Sequence, residues 1–401
     1  MTELSVAVLI EQVLTRNPSL AQMAAAWEAA SARYPQITSL DDPMFGGTAA
    51  PASIGSHDVE FGYRVEVSQK YPWPGKRALR GANALAEANA ARLDLDDMRL
   101  QLVETTQDAF YEYYLVGRAL AVNEEAIRLL RDFRSNAQNR FTTGQVTQQD
   151  VLQADVEIGR QQERQLTLER MRHVALARLN TLMHLPTDTP LPPPPEQLRP
   201  AESPPEPRQL EEAALARRPD LRALAERINA ERASLELAHK EYCPDVEVMA
   251  AYDTIMGNGP TRDLAAQVAI RINLPVRLAK RAAAVAEAQA RLAQRSAELA
   301  RQVDRVSFEV RQAYEQVRES YRALRLYDET ILPAARENVK AAQTAYATGR
   351  VPFLSLIEAQ RNLVGLRDRY FEATADYYRR RATLERVTGT TPIPELAPHQ
   401  P

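Results

Sequence analysis

The sequence predicts a mainly α protein with a smaller β component, built as a tandem repeat in which long coiled-coil helices are joined to two pairs of strands. Three observations carry this. Short motifs recur at a constant spacing. Apolar residues in the longest helical segments follow a 3.5-residue period. Two stretches alternate strictly between apolar and polar residues, as half-exposed strands do.

The repeat is read from three pairs of motifs. Arg16-Asn17-Pro18-Ser19-Leu20 resembles Arg217-Arg218-Pro219-Asp220-Leu221, and Lys76-Arg77 recurs as Lys280-Arg281. Phe141-Thr142-Thr143-Gly144-Gln145-Val146 recurs as Tyr346-Ala347-Thr348-Gly349-Arg350-Val351. The offset stays near about 204 residues, so the chain holds two copies of one unit. The first repeat is assigned to residues 1–185 and the second to residues 208–390, with a tail at 391–401. Between them, residues 186–207 contain Pro192-Pro193-Pro194-Pro195, which cannot be helix interior and reads as a stiff extended linker.

Each repeat has the same order of parts. An opening helix rich in alanine and glutamate covers 4–34 and 209–242. A pair of strands follows, then a very long helix, 76–141 and 280–346, then a glycine turn and a return helix, 148–183 and 353–387. In the first long helix Leu102, Thr106, Ala109, Tyr113, Val116, Leu120, Asn123, Ile127, Leu130, Arg134, Ala137 and Phe141 form a seam with alternating spacings of four and three. In the second, Val306, Val310, Ala313, Val317, Ser320, Leu324, Tyr327, Ile331, Ala334, Asn338, Ala341 and Ala345 are expected to keep that phase. Pro333 is expected to kink this helix, because its ring displaces the carbonyl four residues back. A helix of about 66 residues is roughly 100 Å long, and a return helix of about 36 plus an opening helix of about 33 span nearly the same length. Two shorter helices then stack beside each long one, giving the wall of a tall cylinder.

The strand segments are amphipathic. Val59, Phe61, Tyr63, Val65 and Val67 fall on one face, and Asp58, Glu60, Arg64, Glu66 and Ser68 on the other. In the second repeat Leu264, Ala266, Val268, Ile270, Ile272 and Leu274 oppose Gln267, Arg271 and Asn273. Residues 44–51 and Val246, Val248, Ala250 and Tyr252 supply weaker partners, with turns at Ser53-Ile54-Gly55-Ser56 and Gly257-Asn258-Gly259-Pro260. Such a strand suits either a boundary between lipid and water or a soluble sheet resting on a core. The helices have no second apolar face left to cover the hairpins, which favours lipid. Four strands cannot close a barrel, and an open edge in lipid leaves backbone groups unpaired, so three chains are expected to pool twelve strands. Pro35, Pro43, Pro72, Pro74, Pro244 and Pro275 mark the junctions of helix and strand. Tyr71 and Trp73 stand where an aromatic belt would anchor at headgroups, or where ordinary packing fills a bend.

Composition excludes several function classes. The formal net charge of -3 offers no basic surface for nucleic acid. With Cys243 alone there is no intramolecular disulfide and no thiolate zinc site, and His57, His173, His184, His239 and His399 have no metal-ligand spacing, so neither metal nor other cofactor is expected. No phosphate loop, nucleophile elbow or paired histidine suggests an enzyme. No apolar run approaches the ~18 residues of a spanning helix, a test that barrel strands escape. Met1-Thr2-Glu3-Leu4 shows no basic segment followed by an apolar one, so an export signal is expected to lie outside this sequence.

The repeated order of parts, with Tyr71-Pro-Trp-Pro-Gly-Lys76, Ile331-Leu-Pro-Ala-Ala335 and Ala345-Tyr-Ala-Thr-Gly-Arg-Val351, resembles the TolC family of outer-membrane factors over nearly the whole chain, most of all its heavy-metal and multidrug efflux branch. The resemblance implies a homotrimer with a twelve-stranded transmembrane β-barrel in outer-membrane lipid, a periplasmic coiled-coil α-helical barrel, and an equatorial region formed partly by the inter-repeat linker. It implies a passive exit duct fed by an inner-membrane pump through a periplasmic adaptor (membrane fusion) protein. The adaptor is expected to dock on Thr143, Gly144, Gln145 and Val146 in one tip and Thr348, Gly349, Arg350 and Val351 in the other. Related ducts place two acidic residues one turn apart past the second tip; here Ser355 and Glu358 match, with Asp150 at the first position in the other tip, as a pore constriction. The alternatives are a soluble coiled-coil scaffold or a periplasmic adaptor without a barrel.

Overall fold

A computed structural model of the chain describes residues 3–51, 54, 62–198, 201–255 and 266–390. Asp58 to Phe61, Leu264, most of both hairpin turns and the 391–401 tail lie outside the described residues. The element order is α1 (Val6–Arg16), α2 (Pro18–Thr38), β1 (Met44–Ala49), β2 (Tyr63–Tyr71), α3 (Lys76–Thr142), α4 (Gln148–Leu182), α5 (Pro207–Arg217), α6 (Pro219–Lys240), β3 (Val246–Asp253), β4 (Ala266–Ile272), α7 (Leu278–Leu326), a π-helical turn (Tyr327–Ile331), α8 (Leu332–Ala347) and α9 (Phe353–Thr388). The chain forms two compact units, and each draws on both halves of the sequence. Among the described residues, one holds those within 3–22, 96–218 and 303–390; the other holds those within 23–95 and 219–302.

The opening helices are each two helices, not one. Asn17 and Arg218 take extended ψ of 123°, because the ring of a following proline disfavours the helical region for the residue before it. Asn17 caps the start of α2 and ties the break to α4: its side-chain oxygen accepts from the Ser19 amide at 2.9 Å, and its Nδ2 donates to the carbonyl of Leu182, the last residue of α4, at 2.9 Å. Arg218 pairs with Glu309 at 2.8 Å. Pro35, expected at a junction, lies inside α2 instead.

In the first unit the seam of α3 is buried as expected from Leu102 to Leu130, with Ala137 beyond, although Arg134 and Phe141 are exposed. The second seam departs from the expectation. Val306, Val310, Ala313, Val317 and Ser320 are buried, but beyond the π-turn the buried residues are Leu332, Ala335, Val339 and Tyr346, each one position later than expected. The reason is an inserted residue. The spacing between matching positions grows by one between the pair Lys76/Lys280 and the pair Gly144/Gly349, and a π-turn holds one extra residue without breaking the helix. Pro333 directly follows the π-turn in a helix that continues through both, and the carbonyl its ring would displace, that of Glu329, lies within that turn, so the irregularity expected from the proline appears as the π-turn. Deleting the exposed Asp328 is therefore expected to give a regular helix with both halves of the seam still packed. Deleting Gln312 from α7 should instead unseat the seam, and the denaturant midpoint of each purified variant measures the difference.

The linker lies against α3. The Tyr113 hydroxyl donates to the Pro192 carbonyl at 3.2 Å and the Leu4 amide to the Pro193 carbonyl at 2.9 Å. Gly117 makes this approach feasible, since a Cβ there would stand 2.6 Å from Cγ of Pro194.

In the second unit the two hairpins join into one antiparallel sheet of order β1-β2-β3-β4. Its faces separate cleanly. Phe45, Val65, Val67, Val248, Tyr252, Val268, Ile270 and Ile272 share the exposed face, where Phe45 is 76% and Val268 79% exposed. The opposite face carries Arg64, Glu66, Asp253, Glu247 and Arg271. Arg64 pairs there with Glu66 at 3.0 Å and Asp253 at 3.8 Å, and Arg271 with Glu247 at 3.0 Å.

Sheet and helices are fastened at one buried lysine. Lys76, the first residue of α3, is 0% exposed; its ammonium donates to Asp245 at 2.9 Å, to the Cys243 carbonyl at 3.0 Å and to Glu241 at 3.3 Å. Asp245 also accepts from the Trp73 amide at 2.9 Å, which closes the strand-to-helix bend. The next residue acts within its own repeat. Arg77 Nε donates to the Thr38 carbonyl at 3.0 Å, and its counterpart Arg281 does the same to Glu241 at 2.7 Å.

Candidate functional site

The first candidate surface is the pair of helix-helix turns in the first unit. Thr143, Gly144, Gln145 and Val146 connect α3 to α4, and Thr348, Gly349, Arg350 and Val351 connect α8 to α9. Both glycines take φ of 72°. The Gly144 amide donates to Phe141 and the Gln145 amide to Arg140, each at 2.9 Å; the Gly349 amide donates to Tyr346 at 3.0 Å and the Arg350 amide to Ala345 at 2.8 Å. Both turns are thus Schellman closures with glycine in the left-handed position that a Cβ disfavours.

The turns share a core. Val146 and Val351 pack against a buried cluster of Leu130, Ala154, Tyr346, Phe353, Leu356 and Ile357. Residues of the first hairpin also grip Tyr346. The Arg140 guanidinium lies 4.9 Å from its ring centroid and donates to its carbonyl at 2.9 Å. The Tyr346 hydroxyl donates to Asp150 at 3.3 Å. Burial raises the pKa of this phenol, and the Asp150 charge raises it further, so the donor keeps its proton at any physiological pH.

Of the constriction residues, Ser355 and Glu358 lie in the first two turns of α9, Ser355 half-buried and Glu358 exposed without an ion pair among the described residues. Asp150 is drawn to Tyr346 rather than to either of them. One turn beyond Glu358, Arg361 reaches across to the buried Glu157 of α4, with Nε to Oε2 at 2.9 Å. Burial works to raise the Glu157 pKa, but Arg361, Gln161 and Arg160 outweigh it and hold the carboxyl below its ordinary value. Arg140, Glu157 and Arg361 were not singled out from the sequence. For Tyr346 the signal was present, because it stands where the first repeat has Phe141 and so brings a hydroxyl that its counterpart lacks.

The second candidate surface is the sheet, with its apolar face outward and its ion pairs on the other side. A soluble sheet resting on a core would have the reverse arrangement. Among the described residues no helix is long and apolar enough to cross a membrane.

The family model of the outer membrane efflux proteins matches residues 9–183 and 210–390. The chain belongs to that family. No curated protein matches the sequence. Among solved structures the chain is similar to CusC, a transmembrane channel, with TM-score 0.83 at 16% identity over 97% of this chain and 92% of that one. It is similar to the outer-membrane channel OprN, with TM-score 0.79 at 20% identity over 96% and 90%. The outer membrane protein VceC of Vibrio cholerae gives TM-score 0.79 at 16% identity over 96% of both chains. The helical, four-stranded fold of this family member is therefore the TolC-like fold that its sequence resembles.

Proposed function

We propose that the protein is the outer-membrane exit duct of a tripartite efflux system, conducting substrates passively from an inner-membrane pump and a periplasmic adaptor to the exterior. The observation that carries this is the sheet with its apolar residues exposed on one face and its ion pairs on the other. Such a sheet is stable when lipid wets the first side and an aqueous bore the second. Its outer edges, β1 and β4, have no further strand beside them among the described residues. Three copies closing edge to edge make a twelve-stranded barrel and satisfy those backbone groups.

The two Schellman turns are the docking surface for the adaptor, with Thr143 to Val146 and Thr348 to Val351 presented by one shared core. Glu358, repeated three times about the axis, supplies a ring of carboxylates at the narrow end, with Ser355 beside it; like charges brought close attract multivalent cations. Asp150 contributes by holding Tyr346. The duct carries out no bond chemistry itself. The repeats at 1–185 and 208–390 are its two structural halves, and the 186–207 linker belongs to its equatorial region.

The test is reconstitution. Detergent-extracted protein should run as a trimer and form pores in planar bilayers that trivalent cations block from the periplasmic side. Glu358→Gln should weaken that block by on the order of a hundredfold, as expected when three carboxylates that each contribute on the order of 1 kcal/mol are neutralised. A soluble monomer without conductance would refute the duct, and unchanged block would remove Glu358 from the constriction.

A further inference from the structure

The strand-to-helix junction exists twice in this chain, but only one copy is complete. At the first, Lys76 is fully buried on Asp245 and the Cys243 carbonyl, groups supplied by the following repeat. At the second, Lys280 stands at the same place, because the adjacent Arg77 and Arg281 bind the ends of their own opening helices in the same way. Yet Lys280 is exposed and has no ion pair among the described residues.

The acceptor that would complete it is identified by the sheet register. Rung Met44–Ser68 of the first hairpin corresponds to rung Glu247–Arg271 of the second. Counting back from those rungs, Asp245 corresponds to Asp42 and Cys243 to Leu40. Asp42 is exposed and likewise without an ion pair among the described residues. It lies on the same unit as Lys280, beside the opposite edge strand of the sheet.

We propose that Lys280 of one copy seats on Asp42 and the Leu40 carbonyl of the next, reproducing between chains the junction that Lys76 makes within one. This rests on the duct reading and adds to it the register of the closing seam. The pairing of β2 with β3 sets Gln69 opposite Val248 and Val67 opposite Ala250. Carried to the open edges, it sets Ile272 opposite Phe45 and Ile270 opposite Gly47 of the next copy. All of these lie on the exposed apolar face, whereas a slip of one residue would turn that face inward. Glu241 corresponds to Thr38, so the seam between copies holds one carboxylate where the seam within the chain holds two. That makes Asp42 indispensable to it.

Charge exchange in the full chain tests this. Asp42→Lys and Lys280→Asp, made singly, should each speed heat dissociation of the detergent-purified trimer by on the order of a hundredfold, as breaking a desolvated pair does. The double exchange should recover most of that loss. Independently, Asp42→Cys with Lys280→Cys in a Cys243→Ser background should give a covalent trimer with a short bis-maleimide. A wild-type trimer whose single variants dissociate normally, or whose double variant loses the sum of both, overturns the pairing and leaves the duct reading intact. A wild-type protein that is monomeric in detergent overturns both.

Discussion

Gly349→Val is expected to abolish pump-dependent resistance in cells while the protein still assembles in the outer membrane. The site has φ of 72°, and a Cβ added there meets no atom within 4 Å. The whole effect therefore comes from the backbone. A β-branched residue in the left-handed region costs on the order of 1–3 kcal/mol, and the Schellman closure would relax by rotating the turn. That strain is small beside the stability of a large helical assembly, so the proposed barrel should still form, while an adaptor docked on this turn would meet a different shape. Resistance assays with parallel membrane fractionation check this. Gly349→Ala should fall between, and normal resistance in Gly349→Val would remove the turn from the docking surface.

Lys76→Met should be the most damaging single substitution in the second unit. It leaves Asp245 in a nearly closed site with the Trp73 amide as donor and only the more distant Lys70 as a cation, and a buried charge stripped of its partner costs about 3–5 kcal/mol. Trimer yield and the denaturant midpoint should both fall, and adding Asp245→Asn should restore much of the loss. Acid reports on the same pair. Burial works to raise the Asp245 pKa, but the Trp73 amide and the Lys76 ammonium outweigh it and hold it below the ordinary carboxylate value. A carboxyl whose folded pKa is depressed stabilises fully above its unfolded value and loses that contribution as the pH falls through the folded one. The Asp245→Asn/Lys76→Met protein should therefore lose less stability than wild type as the pH falls below the ordinary carboxylate range. Equal acid sensitivity would mean that the pair contributes little.

Much of this architecture is legible in the residues. The Thr-Gly turns mark both hairpin tips, because only glycine takes the closing position without strain. The alternation from Tyr63 to Val67 marks a strand, because side chains leave a pleated chain on opposite sides. The seam beyond the π-turn was misread by one position for a physical reason. Ile331 and Leu332, Ala334 and Ala335, and Ala341 and Ala342 are adjacent apolar pairs, so both phases look like a core. Only Val339, against Asn338, separates them. The breaks at Asn17 and Arg218 were missed although the prolines behind them belong to the repeat motif itself. The exposure of the apolar sheet face could not be read from alternation, which is identical for a sheet facing lipid and one facing a core. The role of Lys76 depends on Asp245 from the other repeat, a proximity that only folding creates.

The π-turn at Tyr327–Ile331 also bears on how the gene could be re-engineered. A chimera joining two first halves would lack the extra residue and carry six equivalent hairpins in a trimer. Its helices would remain in phase, so it should still assemble, but every tip would have Phe141 in place of Tyr346. In the proposed trimer two kinds of tip would alternate around the ring, and a docking protein that distinguishes them would bind it in a defined rotational setting that the chimera would not impose.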